Sequence, residues 1–256
     1  MRHAISKLGK DTITFFEEAG AIFMLLGKIL SYSGRVFKDW HLLLQQMMTI
    51  GFRSLPIVMM IGLFTGAVSA WQTNYQISGY VPIRYLGLAT YKAVIIELGP
   101  VLTAIILAGR VGASIAAELG TMKVTEQIDA LESLAINAVR YLAAPRFFAA
   151  VIMMPILVVF ADFIAISGAW FVAVVFLDIP TKIFFSEIPQ FFIVYDIFAG
   201  LFKALFFGGI ISLIGCYVGF STTGGAEGVG KSTIRSFVLS AILILIFDYL
   251  LAIILF

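Results

Sequence analysis

Charge is what this sequence has least of: Asp, Glu, Lys and Arg make up 12% of its 256 residues, against 61% apolar. A soluble globule of that length needs a polar skin that so few charges cannot supply, which excludes a water-soluble fold. Cysteine is down to Cys216, so neither a disulfide framework nor a Cys-based metal site is available. Histidine is limited to His3 and His41, both near the N-terminus, and neither stands in HExxH spacing. No G-x-S-x-G motif occurs either, which argues against an intramembrane hydrolase, and nothing calls for a metal or a cofactor. The formal net charge is only +2, with the basic residues spread along the chain, which argues against nucleic acid as a partner.

What is present is apolar sequence, with 24 Phe and a mean hydropathy of +1.04. Crossing about 30 Å of hydrocarbon takes roughly 20 helical residues. Five stretches qualify, at about Leu55–Gln72, Ala93–Ala117, Phe147–Leu177, Gln190–Phe220 and Ser236–Phe256. The expected fold class is therefore an all-α integral membrane protein with five transmembrane helices.

The first 48 residues differ. Ile5, Leu8, Phe15, Ala19, Ile22, Phe23, Leu26, Ile29 and Leu30 recur mostly at spacings of three and four, while Arg2, Lys7, Lys10, Asp11, Glu17 and Glu18 largely fill the other faces. That pattern predicts an amphipathic helix lying in the interface, and a division into an interfacial segment (1–48) and a permease-like domain (49–256). A sixth span over residues 19–34 is the rival; it is short and broken by Lys28. No small-residue cleavage site follows a short apolar core, so the segment does not read as a signal peptide.

Thirteen of the seventeen Lys and Arg residues fall on one side of the five spans; Arg84, Lys92 and Lys182 fall on the other and Lys203 lies within a span. The positive-inside rule places the N-terminus in the cytoplasm and the C-terminus outside. The most polar stretch, TMKVTEQIDALESL (121–134), then becomes a cytoplasmic loop. Thr125 is expected to cap a helix of about 11 residues, roughly 16 Å long, within about 123–135. Ile128, Leu131 and Leu134 would form an apolar edge, and Glu126, Asp129 and Glu132 a charged one.

The run from Glu97 to Arg146, with ELGP, AGRVG, AELGTM and EQIDAL followed later by GGAEGVG, resembles the signature region of the MlaE (YrbE) permease family. The similarity extends from about residue 50 to the end. The resemblance implies a permease subunit of an ABC transporter that moves lipids, with phospholipids first among them, between membranes. It also implies a bacterial inner-membrane location and two copies of the permease on two separate ATPase subunits. MCE-domain proteins are implied on the outer side, and a small STAS-domain protein can bind the ATPase. The segment equivalent to Thr125–Leu134 is then a coupling helix seated on the ATPase, with Glu126, Gln127, Asp129, Ala130 and Leu131 as coupling residues. Ile77, Tyr80, Glu97 and Leu98 are candidates for substrate binding near the outer mouth of an apolar cavity. Where some members carry a basic residue before the equivalent Glu, this sequence has Ile96.

Several features have rival readings. GAEGVGKS (225–232) fits the phosphate-loop pattern, but the residues after Lys231 are mostly a membrane span, not the parallel sheet that such a site requires. A glycine-rich cytoplasmic turn, with Lys231 and Arg235 anchoring the last span, fits better. Glu97 lies about a turn inside the second span, with Pro100 predicting a kink that frees the Ile96 carbonyl. The carboxylate reads either as a polar spot in the cavity or as a partner for Lys92 or Arg84. Asp162, Asp196, Lys203 and Asp248 read as ties between helices. Asp196 and Lys203 share a face, and Asp248 comes within reach of Lys203 from another span. A proton path is the sharper option, but no ladder of carboxylates and histidines accompanies it. Small residues at spacing four, Gly62 with Gly66 on the first span and Gly109, Ala113 and Ala117 with Gly112, Ala116 and Gly120 on the second, predict close backbone approach. Five spans form a thin wall for a lipid-sized cavity, so a two-fold pair of chains is expected. The alternative function, an ion- or proton-coupled carrier working without an ATPase, would be expected to show inverted repeats, and none stands out.

Overall fold

The computed structural model describes the backbone of residues 2–36 and 38–256, and side chains for residues 12–14, 16–34 and 38–256. Among them there are helices and no strands. In order these are α1 (Arg2–Ser31), α2 (Ser33–Val36), α3 (Trp40–Ile50), α4 (Leu55–Ile77), α5 (Leu86–Ala93), α6 (Gly99–Leu107), α7 (Ala113–Val124) and α8 (Gln127–Ser133). The series ends with α9 (Ala144–Val175), α10 (Thr181–Phe184), α11 (Val194–Phe220) and α12 (Gly225–Leu255). Five helical stretches are long and apolar enough to cross a membrane: Trp40–Ile77, Ile83–Val124, Val139–Val175, Val194–Phe220 and Gly225–Leu255.

These agree in number with the sequence reading and are mostly longer. The first stretch begins at Trp40, because α3 runs into α4 through a single 3₁₀ turn at Phe52–Ser54. The last begins at Gly225, so GAEGVGKS is not a turn: Gly224 and Gly225 adopt left-handed φ of 87° and 66°, and the rest of the motif forms the first turns of α12. With no preceding strand, the phosphate-loop pattern has none of its required setting.

The second stretch is where the sequence expected one kink at Pro100. It carries two π-turns, Val94–Leu98 and Ala108–Gly112, closed by bonds from the Gly99 and Ala113 N–H groups to the Val94 and Ala108 carbonyls. A third, Val139–Ala143, opens the third stretch. Each widening inserts a residue into the helical ladder and re-aims the side chains around it; Glu97, Arg110 and Arg140 all sit in such turns.

The bundle is held by close backbone packing. On α4, Gly62 and Gly66 lie against α9: a Cβ on Gly66 would overlap the Ala165 carbonyl, and one on Gly62 would come within 2.7 Å of the Ala161 oxygen. On the second stretch, Gly112 packs against Ile211, while the Ser236 hydroxyl donates to the Gly112 carbonyl at 3.0 Å. The close approach that the small residues predict is thus found within one chain. A large core of buried side chains gathers around α6, α7, α9 and α11, including Leu107, Leu119, Leu157, Phe207 and Ile214. A smaller one holds Leu86, Ala173 and Phe184 together beside α10.

Helix α1 meets this core with one edge. Leu25 and Ile29 are buried in it, whereas Ile13, Phe16, Phe23 and Met24 face outward. Its Glu18 accepts a bond of 2.6 Å from Arg235 of α12.

Candidate functional site

Three arrangements bear on function: a buried ion cluster, a groove beside α4, and a short exposed helix.

The cluster centres on Lys203 of α11. Its side chain has no exposed surface, and its Nζ donates to Glu97 Oε2 at 2.8 Å and to Asp248 Oδ1 at 2.9 Å. One cation therefore joins three spans, and the cluster carries one excess negative charge. A lone ammonium in that position would be prohibitively desolvated, so the two carboxylates are what allow it to be buried. The expected reach of Asp248 to Lys203 is found. The pairing of Glu97 with Lys92 or Arg84 is not, because Lys92 forms an ion pair with Asp196 at 3.1 Å and Arg84 pairs with Glu187 at 3.5 Å. Asp196 and Lys203 share a helix but not a bond. Asp162 stands apart, one oxygen buried without a hydrogen-bond partner where a Cβ on Gly99 would strike it.

The groove has a volume of about 510 Å³. Its apolar walls are Phe64 and Val68 of α4 with Leu98 and Leu102 of the second stretch. Thr65, Ser69, Gln72, Thr73 and Gln76 supply a polar stripe along α4. A second, far smaller cavity shares Thr65, Leu98 and Leu102 with the groove and is closed by Thr103 and Ala161. Of the residues expected to bind substrate, Leu98 lines the groove. Glu97 is its neighbour in sequence but is bonded to Lys203 and lies outside the lining. Ile77 is half-buried against the smaller core, and Tyr80 projects from the loop after α4, almost fully exposed. The structure therefore does not gather the four around one cavity. The stripe went unread in the sequence, although polar residues recurring at spacings of three and four within an apolar span were its signal.

The exposed helix is α8. The expected Thr125 cap is not made: the Thr125 hydroxyl donates back to the Thr121 carbonyl at 2.8 Å, and Glu126 becomes the N-cap with φ of 60° and no side-chain cap bond. The helix is consequently seven residues long, about 10 Å, shorter than expected. Left-handed backbone at Glu126 and again at Ala135 brackets it. Non-glycine residues held there are uncommon and mark a locally fixed geometry. Ile128 is buried and Leu131 half-buried against the core, but Leu134 is 71% exposed and does not complete the apolar edge. Glu126, Gln127, Asp129, Ala130 and Glu132 face outward. Asp129 already accepts a bond from Lys123 at 2.8 Å, fastening α8 to the end of α7. Two further ties hold the surroundings: buried Arg146 joins Glu118 of α7 at 3.0 Å, and Arg140 joins Asp39, next to α3, at 2.8 Å.

Comparison with known proteins gives a consistent result. Residues 43–254 match the family described as permease MlaE. A probable ABC transporter permease protein of Rickettsia typhi is 42% identical over 252 residues, covering 97% of this chain and 96% of its own. A probable ABC transporter permease protein of Synechocystis is 37% identical over 253 residues, 98% of this chain and 93% of its own. The intermembrane phospholipid transport system permease protein MlaE of Haemophilus influenzae is 36% identical over 254 residues, 98% and 97% of the two chains.

Proposed function

This chain belongs to the MlaE permease family and is the membrane subunit of an ABC transporter, with ATP hydrolysed by a separate protein; from that premise we propose that it moves lipids, phospholipids among them, between membranes. The observation that carries the proposal is the 510 Å³ groove between α4 and the second stretch, which has the mostly apolar walls that acyl chains need. Family membership disfavours the ion-coupled carrier.

In this reading the ATPase receives α8 through Glu126, Gln127, Asp129, Ala130 and Leu131. Displacement of α8 is passed to α7 through Lys123–Asp129 and to α9 through Glu118–Arg146, so both walls of the bundle respond to one contact. The three spans joined at Lys203 then turn as a unit against α4, changing the width of the groove. Leu98 lines the lipid's route in the groove and Tyr80, exposed after α4, is free to meet the lipid near the outer mouth, while Ile77 and Glu97 stand back from the lining. Two chains pair about a two-fold axis to enclose the lipid. An MCE-domain protein receives or delivers it on the outer side, and a STAS-domain protein joins through the ATPase. The chain sits in the bacterial inner membrane, with residues 1–48 along the cytoplasmic interface, the N-terminus in the cytoplasm and the C-terminus outside.

The test is co-purification in mild detergent followed by lipid exchange between vesicles. The expected result is that an ATPase accompanies the chain and that Glu126→Lys with Glu132→Lys releases it without unfolding the permease. Retention of the ATPase by that variant would overturn the assignment of α8.

A further inference from the structure

We infer that the groove selects lipids with a polyol headgroup, reading hydroxyls through the uncharged stripe on α4 and not reading charge. This inference rests on the lipid-transport proposal and specifies its substrate class. Thr65, Ser69, Gln72, Thr73 and Gln76 all line the groove. Their spacings of four, three, one and three place them along one face of α4, over about 16 Å of helix rise.

These side chains are available. Several helical serines and threonines fold back onto the carbonyl one turn earlier, as Thr121 does onto Ala117 and Ser167 onto Phe163, both at 2.8 Å, whereas the buried hydroxyls of Thr90, Ser212 and Ser240 do not. Thr65, Ser69 and Thr73 make no such bond among the described residues, and neither Gln72 nor Gln76 has a protein partner there. Unpaired hydroxyls and carboxamides inside a span are costly in hydrocarbon, and most so where no water reaches them. A run of five on one face calls for a partner.

The chemistry of the run narrows that partner. Each of these side chains both donates and accepts hydrogen bonds. Ester carbonyls only accept, whereas the hydroxyls of a glycerol or sugar headgroup do both. Among the described residues no Asp, Glu, Lys, Arg or His lines the groove, and the nearby Glu97 is committed to Lys203. A phosphate or an ammonium therefore meets no counter-charge. Phe64, Val68 and Leu102 remain for the acyl chains. An uncharged glycosyl-diacylglycerol and phosphatidylglycerol share the polyol chemistry and differ in charge, which makes them the informative pair.

The experiment places a diazirine amino acid at position 68 of the full-length chain. The chain goes into nanodiscs holding equal amounts of dihexosyl-diacylglycerol, phosphatidylglycerol, phosphatidic acid and phosphatidylcholine with matched chains, and mass spectrometry identifies the adducts. Both polyol lipids should be captured several-fold more than the other two. Gln72→Leu/Gln76→Leu, and separately the near-isosteric Thr65→Val/Thr73→Val, should bring that ratio towards one while total lipid capture persists. Capture of the glycosyl lipid alone would overturn the inference, because the two polyol lipids differ in charge and the groove would then be reading it. Enrichment of phosphatidylglycerol alone, equal capture of all four, preference for phosphatidic acid or phosphatidylcholine, or an unchanged ratio in both variants would overturn it. So would crosslinking to a second copy of the chain in place of lipid, which would make the stripe a helix-pairing surface. Unselective capture would leave the transport proposal standing; no lipid capture at all would remove both.

Discussion

Replacing Lys203 with Met removes the only cation from the three-span cluster and strands Glu97 and Asp248. Lys203 has no exposed side-chain surface, while the side chains of Glu97 and Asp248 retain 42% and 20% exposure. Breaking a buried pair from one side costs about 3–5 kcal/mol, because the remaining charge keeps its desolvation and loses its partner. The carboxylates are partly open, so the lower end, about 3 kcal/mol, applies here. For a chain of this size that lowers the melting midpoint by about 6–12 °C. Glu97→Gln should cost less than Lys203→Met, since the Lys203–Asp248 bond of 2.9 Å survives and the cluster becomes neutral. Lys203→Met/Glu97→Gln/Asp248→Asn should recover more than half of the lost stability, because no unpaired charge is left. Thermal unfolding in detergent, followed by tryptophan fluorescence and size-exclusion recovery, reads all three. A Lys203→Met midpoint matching wild type, or a triple variant no more stable than the single, refutes the reasoning.

Other positions give independent checks. Gly66→Val should separate α4 from α9, at a cost of about 2–3 kcal/mol from overpacking, whereas Gly20→Ala, with nothing within 4 Å, should leave the midpoint unchanged or slightly raised. In the Arg146–Glu118 pair the arginine is the buried member, at 5% side-chain exposure against 57%. Glu118→Gln should therefore destabilise more than Arg146→Met in the same melting assay, since among the described residues it leaves a buried guanidinium with the Leu142 carbonyl, at 2.7 Å, as its remaining partner. Lys123→Ala loosens an exposed pair and should change stability by no more than about 1 kcal/mol. Its effect should appear instead in ATPase activity that no longer responds to added lipid.

Number and class of spans were legible in the sequence because long apolar runs have few other uses. The ends were less so. Nothing in the charge pattern signals that α3 would merge with α4 through one 3₁₀ turn, or that Gly228 and Gly230 would be helical. Pro100 marks an irregularity, and a π-turn stands just before it. Partner choice among the charges was half visible: Lys203 and Asp248 matched, but the tie of Glu97 to Lys203 depends on how three spans converge, which spacing within one helix cannot show. At α8 the sequence pattern located the exposed acidic face. The start was misread, because Thr125 bonds backwards into α7 and leaves Glu126 to turn the chain. The groove is hidden in the sequence for a plainer reason: threonine and glutamine carry no charge that would set them apart within an apolar run.

The central claim is that this subunit is worked by a separate ATPase through α8. The most direct measurement is lipid transfer between donor and acceptor vesicles by the reconstituted permease, with and without its ATPase, in the presence of ATP. Transfer is predicted only with the ATPase, and is predicted to be lost in Glu126→Lys/Glu132→Lys. Equal transfer by the permease alone would contradict the account.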